Sequence, residues 1–62
     1  MDKEQLINEL QDALNGMDIP QMRKRDIGWL NRNISINNSN HPNFLKATWL
    51  IKQIMKEEKN GK

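Results

Sequence analysis

The residues best suited to recognising a ligand lie in a polar stretch between positions 31 and 43. This stretch holds six of the chain's nine asparagines, with an arginine, two serines and the single histidine. Asparagine amides carry donors and acceptors, and a guanidinium can bind a phosphate through two parallel hydrogen bonds. The pattern predicts a site for an anionic, nucleotide-like ligand, formed by Arg25, Arg32, Asn33, Asn37, Asn38, Asn40 and His41. The same residue types also build turns and helix caps, so that alternative stays open.

Two further features favour an anion in this region. Arg25 and Arg32 are seven residues apart, so on a continuous helix they share a face, and Gly28 between them would leave room for a ligand. A helix predicted to begin near Pro42 adds free backbone amides, which favour negative charge. Gly28 is equally consistent with a simple kink in the helix.

Catalytic chemistry finds little support in the residue types. The chain has one histidine and no cysteine, and every carboxylate except Asp26 lies in or next to the first predicted helix, in the cap after it, or near the C-terminus. His41 at a helix N-terminus has no partner base, and the helix dipole disfavours its protonated form. No histidine pair or Asp-x-Asp-x-Asp loop offers metal-ligand spacing. We expect a protein that is not an enzyme and has no catalytic residue, metal or cofactor.

Length and charge limit the remaining possibilities. A chain of 62 residues is predicted to form one domain over 1–62, and so small a core is often completed by oligomerisation. Residues 1–20 carry one basic and five acidic side chains, whereas the rest carry nine basic and three acidic ones. The two parts can attract each other within or between subunits.

The longest apolar run, 49–51, is far shorter than the ~20 residues of a membrane span. No secretory leader opens the sequence, so we expect a cytoplasmic location and no membrane partner.

The spacing of the apolar residues predicts an all-α domain with three helices, over about 3–15, 19–33 and 42–58. In the first helix, Asp2 and Gln5 have capping-box spacing. Asn15 and Gly16 end it, because glycine adopts the left-handed conformation of a C-terminal cap without strain.

The second helix is predicted to start at Asp18 and Pro20, since proline in a first turn removes no helical hydrogen bond. Arg23 and Asp26 can pair on its surface, and Trp29 would lie at the margin of its buried face. That face is expected to contain Met22, Ile27, Leu30 and Ile34. The polar residues 34–41 would then form a loop.

The third helix is predicted to have Asn40 or His41 as its cap and Pro42 in its first turn. Its inner stripe is expected to contain Phe44, Ala47, Thr48, Ile51, Ile54 and Met55, broadened by Leu50. The helix would end after Glu58 and leave a flexible polar tail at 59–62.

One apolar pair does not fit a three-helix core. Leu45 and Trp49 are four residues apart, on the side of the third helix opposite its inner stripe and beside Lys52 and Lys56. A small core has little capacity to enclose two tryptophans. We therefore predict that Leu45 and Trp49 form an interface with a second subunit or a partner protein. The alternative is that the second helix or the polar loop covers them.

Nucleic-acid binding is a competing hypothesis. A short glycine-containing turn at 14–18 precedes a helix that would open with Gln21, Arg23, Lys24 and Arg25, as in helix-turn-helix regulators. The acidic first helix would lie beside the phosphates, however, and a net charge of +2 is modest for a DNA-binding protein.

Three stretches carry a resemblance: WLNRNI at 29–34, NNSNHPNF at 37–44 and A-x-x-LI at 47–51. Together, within residues 27–54, they resemble small uncharacterised proteins of phages and prophages of Gram-positive bacteria. The resemblance brings no catalytic or binding residue with it. It implies a phage-type protein that binds a host component stoichiometrically, either as an anti-defence protein that sequesters a nucleotide signal or as an inhibitor of a host protein.

Overall fold

The computed structural model describes residues 2–60, and within them it forms three α-helices and no strand. The helices are α1 (Lys3–Leu14), α2 (Ile27–Asn38) and α3 (Phe44–Asn60), and a short 3-10 turn (Gln21–Arg23) precedes α2. The predicted all-α class with three helices is confirmed. The bounds of the second helix differ from the prediction, and this difference changes which residues lie inside.

The first helix forms where the sequence predicts it, but its N-terminal cap is different. The Asp2 carbonyl accepts from the Leu6 N–H at 3.1 Å, while the Asp2 side chain makes no capping bond. Gln5 instead donates to Glu9 at 3.4 Å, one turn further along. The predicted capping box is therefore wrong. The C-terminal end is as expected, because Gly16 has a φ of 86°.

The prediction of a helix over 19–33 is wrong at both ends. The chain is extended at Pro20, where ψ is 139°, and α2 begins only at Ile27. Asp26 causes this break, because its side chain accepts from the Trp29 N–H at 3.2 Å and so caps a new helix. Met22, expected in the core, lies before this cap on the 3-10 turn and is 83% exposed.

At its other end α2 continues through the polar residues that were predicted to form a loop. Burial of Ile34 and Asn38 holds this segment in helical form. The Asn38 amide oxygen accepts from the Asp18 N–H at 3.1 Å, which ties the end of α2 to the segment after α1. Packing therefore overrides the weak helix propensity of the asparagines.

The third helix begins after Pro42 rather than around it. The Asn43 carbonyl accepts from the Ala47 N–H at 2.8 Å, and the Asn43 N–H donates to Nδ1 of His41 at 3.1 Å. At the other end, Lys59 and Asn60 are helical although they belong to the predicted tail, and the remaining tail residues, 61 and 62, lie outside the described residues.

The core lies on one side of α3, against which both α1 and α2 pack. Lys3 pairs with Glu58 at 3.2 Å, so the start of α1 lies near the end of α3 and the two helices are antiparallel. The buried apolar residues are Leu6, Leu10, Ala13, Leu14, Met17, Ile19, Leu30, Ile34, Ala47, Leu50, Ile51 and Ile54. Phe44 is partly buried and Met55 is exposed at the edge of the predicted stripe.

Two leucines on α3 provide a matched test of this core. Leu50 is 1% exposed and Leu45 is 77% exposed. We expect Leu50→Ala to lower the free energy of unfolding by about 2–5 kcal/mol, since it leaves a cavity. Leu45→Ala should change it by less than about 0.5 kcal/mol. Urea denaturation followed by circular dichroism measures both, and equal losses would contradict the proposed burial.

A second matched pair tests the link between α2 and the segment after α1. Asn38→Ala removes the acceptor of the Asp18 N–H and should lower the free energy of unfolding by about 1 kcal/mol. Asn37→Ala alters an exposed side chain of the same type and should have almost no effect. The same urea titration compares the two, and an Asn38→Ala variant as stable as Asn37→Ala would show that the hydrogen bond contributes nothing.

Candidate functional site

The predicted ligand-binding residues lie at different parts of α2 and its flanks. Arg25 is exposed in the turn before Asp26, so it is not on α2 and does not share a helical face with Arg32. Asn40 and His41 lie beyond the other end of the helix. The prediction of one arginine face leading into the polar loop is therefore wrong, because Asp26 interrupts the helix that would have carried it.

The side chains of Arg32 and Asp26 lie near Gly28. A Cβ added at Gly28 would lie 3.4 Å from Nη1 of Arg32 and 4.0 Å from Oδ1 of Asp26. The Arg32 guanidinium therefore extends toward the N-terminus of α2 and the Asp26 carboxylate, away from the asparagines at the other end. Both distances are ordinary van der Waals contacts, so an alanine would fit at position 28 without displacing the exposed arginine.

Several of the polar candidates serve local structure. The Asn33 amide donates to the Trp29 carbonyl at 2.9 Å, and the Asn38 oxygen accepts from Asp18. Nδ1 of His41 accepts the Asn43 N–H, and its Nε2 would lie 3.5 Å from a Cβ added at Gly16. These contacts fit the open alternative of turns and caps.

Asn37 and Asn40 are exposed, as are Arg25 and Arg32. None of these four side chains forms a hydrogen bond or ion pair with Asn33, Asn38 or His41 among the described residues, 2–60. Binding of a ligand by individual members of the set stays a prediction.

A cluster of polar contacts surrounds the N-terminus of α2. Arg23 pairs with Asp26 at 3.0 Å, which confirms the predicted pair, and the Arg23 guanidinium carbon lies 5.7 Å from the centre of the Trp29 ring. The Trp29 N–H, the Arg23 guanidinium and the charge of Arg32 together hold the pKa of Asp26 below its ordinary value. Asp26 thus caps α2 and pairs with Arg23, whose guanidinium in turn lies over the Trp29 ring.

The second candidate site is the outer face of α3, defined here as Leu45, Trp49, Lys52 and Lys56. All four side chains are exposed, and Trp49 is 51% exposed. The expectation that Leu45 and Trp49 lie away from the core is confirmed, since neither belongs to the buried cluster and Leu45 is 77% exposed. Adjacent exposed apolar residues with a polar rim are typical of interaction surfaces.

Besides Met22 and Met55, sequence reasoning also missed the exposure of Ile36. Ile36 lies on α2 and is 67% exposed, whereas the prediction placed it in a loop. Ile36 lies seven residues after Trp29. Once Asp26 is recognised as the cap of α2, this spacing places both residues on one helical face, and it is the signal in the sequence that could have indicated the position of Ile36.

Comparisons with models of protein families, with curated proteins and with solved structures find no match to this chain. Within residues 2–60, no group of three or more histidine, cysteine or carboxylate side chains could hold a metal ion. None of the helices described combines the length and apolar character needed to cross a membrane.

The cluster at Asp26 predicts a pH-dependent contribution to stability. Its pKa is lowered by folding, so the contribution is fully present above the unfolded pKa and is lost as the pH falls through the folded pKa. We expect Asp26→Asn to melt below the unmodified protein at neutral pH and the difference to vanish in acid. Asp12→Asn, which alters an exposed residue of α1, should give a smaller difference at neutral pH. Thermal melts across the pH range test this, and a constant difference would contradict it.

Proposed function

We propose that this chain is a non-enzymatic binding protein that acts by stoichiometric contact with a host protein through the outer face of α3. The observation that carries the proposal is the exposure of Leu45 and Trp49 side by side on a helix whose opposite side supplies the core. Tryptophan is among the residues that contribute most to protein–protein affinity when a partner buries them.

The lysines of the face indicate the kind of surface it would fit. Lys52 and Lys56 follow the apolar pair along the same face, and the aliphatic part of a lysine can cover apolar surface while its ammonium group stays hydrated. A target with an apolar depression that has carboxylates at one end would match this arrangement in shape and charge.

The wider context of the proposal comes from the resemblance to phage proteins. It supports action on a host component in the host cytoplasm, and an anti-defence role is one form of such action. The nucleotide form of the hypothesis has less support, because Arg25 precedes α2 and so does not share a helical face with Arg32, as that form assumed. The DNA-binding form required a continuous helix over 19–33, which Asp26 interrupts.

Site-specific cross-linking tests the proposal. A photo-crosslinking amino acid at position 52 leaves Trp49 in place, and the same group at position 36 on α2 is the matched control. In an extract of a Gram-positive bacterium, we expect position 52 to cross-link one defined protein, and position 36 not to.

The cross-linked protein then allows a quantitative test. Trp49→Glu should weaken its binding by at least about 2 kcal/mol, roughly thirtyfold, in calorimetric titration, whereas Ile36→Glu should leave binding unchanged. The titration should give one copy of this chain for each binding site on the host protein. Equal affinity for both variants, with circular dichroism showing both folded, would contradict a role for the outer face.

A further inference from the structure

The dipeptide Asn15–Gly16, which ends α1, has a chemical property besides its role in the turn. In an Asn–Gly sequence the glycine nitrogen can attack the side-chain amide carbon of the asparagine, because glycine has no Cβ to hinder the approach. The reaction needs an accessible amide group and a backbone N–H that is not held in a hydrogen bond. In a folded chain, the local structure therefore decides whether it takes place.

Both conditions are met at Asn15. The residue is exposed, and its side chain makes no hydrogen bond within residues 2–60. In the same part of the chain, neither its carbonyl nor the Gly16 N–H makes a hydrogen bond. The peptides on either side are held, by the Asn15 N–H to Asp12 at 3.2 Å and by the Met17 N–H to Leu14 at 3.0 Å. The peptide between Asn15 and Gly16 is thus free to turn into the orientation that ring closure requires.

Four of the other asparagines lie inside helices. There the N–H that follows each asparagine belongs to the helical ladder and donates to a carbonyl one turn earlier. The reaction then requires local opening of the helix, so its rate falls with the population of the opened form. These four residues are Asn8, Asn31, Asn33 and Asn37.

The remaining three asparagines within residues 2–59 are protected in other ways. Asn38 is buried, and its amide oxygen accepts from the Asp18 N–H. The N–H groups that follow Asn40 and Asn43 each donate to a backbone carbonyl at 3.0 Å. Within this range, only Asn15 combines exposure with an unbonded neighbouring N–H.

We propose that Asn15 is a site of spontaneous deamidation, which converts it mainly to isoaspartate. The Gly16 nitrogen bonds to Cγ of Asn15, and the amide group leaves with the nitrogen's proton as ammonia, which forms a cyclic succinimide. Water then opens the ring. Attack at Cγ gives aspartate, whereas attack at the main-chain carbonyl carbon gives isoaspartate, in which the main chain runs through Cβ. Water is the only co-reactant.

Both products change the end of α1. The new carboxylate lies at the C-terminus of the helix, where the helix dipole disfavours negative charge, and between the exposed Asp12 and Asp18. Isoaspartate also adds one atom to the main chain directly before Gly16, whose φ of 86° forms the turn. The position of Gly16 and of the residues after it must then shift.

The segment that would shift is the one that attaches α2 to α1. Met17 is buried in the core, and the Asp18 N–H donates to Asn38 at 3.1 Å. Nε2 of His41 lies near the Cα of Gly16, 3.5 Å from where a Cβ would be. Formation of isoaspartate therefore loosens the junction of the two helices as the protein ages. This inference is independent of the proposed function, since it does not involve the outer face of α3.

Deamidation in water labelled with heavy oxygen tests the site. The purified chain is incubated at mildly alkaline pH, folded or in urea, and is then digested with trypsin in ordinary water. The peptide 4–23 contains both Asn15 and the helical, exposed Asn8 as an internal control. Tandem mass spectrometry measures the label at each residue.

The comparison with urea separates the fold from the sequence. We expect the Asn15 rate in the folded chain to be within about threefold of its rate in urea, whereas folding should slow Asn8 and Asn38 by roughly tenfold or more. No conversion at Asn15, or a slowing there as large as at Asn8, overturns the proposal.

The structural consequence is tested on the separated isoaspartate form. Its melting temperature should lie below that of freshly prepared Asn15→Asp, which adds the charge without the extra main-chain atom, and both should lie below the unmodified chain. Asn15→Gln, which would need a less favourable six-membered ring, should keep its melting temperature during the same incubation. An isoaspartate form that melts with Asn15→Asp would show that the junction is unaffected and would overturn this part of the inference.

Discussion

The carboxylate of Asp26 determines the arrangement of the middle third of the chain. It accepts a hydrogen bond from the Trp29 N–H and so caps α2, which begins at Ile27 after the 3-10 turn. This start sets the helical register, so that Leu30, Ile34 and Asn38 face the core and Ile36 faces outward. The same carboxylate holds Arg23 by an ion pair and lies close to Arg32. The Asp26 cap therefore marks where α2 begins, and the packing of Leu30, Ile34 and Asn38 stabilises the helix in this register.

The third helix has a different part in the architecture. Both α1 and α2 pack against its inner side. The residues buried there are Ala47, Leu50, Ile51 and Ile54. Because α1 and α2 pack against that side, Leu45 stays largely exposed and Trp49 stays half exposed. The exposed apolar pair is thus a direct result of placing both packing helices on one side of α3.

The sequence allowed the fold class, α1 and the outer face of α3 to be predicted, because each depends on residues near one another along the chain. The four-residue spacing of Leu6 and Leu10 predicts α1, and Gly16 predicts where it ends. The opposite placement of Leu45 and Leu50 follows from helical geometry alone. The Arg23–Asp26 pair was predictable for the same reason.

The bounds of α2 could not be obtained in this way. Pro20 and Asp26 are both acceptable at a helix start, and local rules do not decide between them. The choice depends on contacts that are distant in sequence, such as that between Asn38 and Asp18. The grouping of Arg25 and Arg32 with the asparagines failed for this reason, since it assumed the wrong start. The polar residues at 37 and 38 look alike in sequence, yet only one of them is buried.

The division of α3 into a buried and an exposed side also bears on how such a protein can change over evolutionary time. Exposed positions tolerate substitution far better than buried ones. The residues of the outer face can therefore be exchanged while those that hold the three helices together stay the same. A population of related chains could acquire new binding preferences by drift at a few exposed sites, without passing through unfolded intermediates.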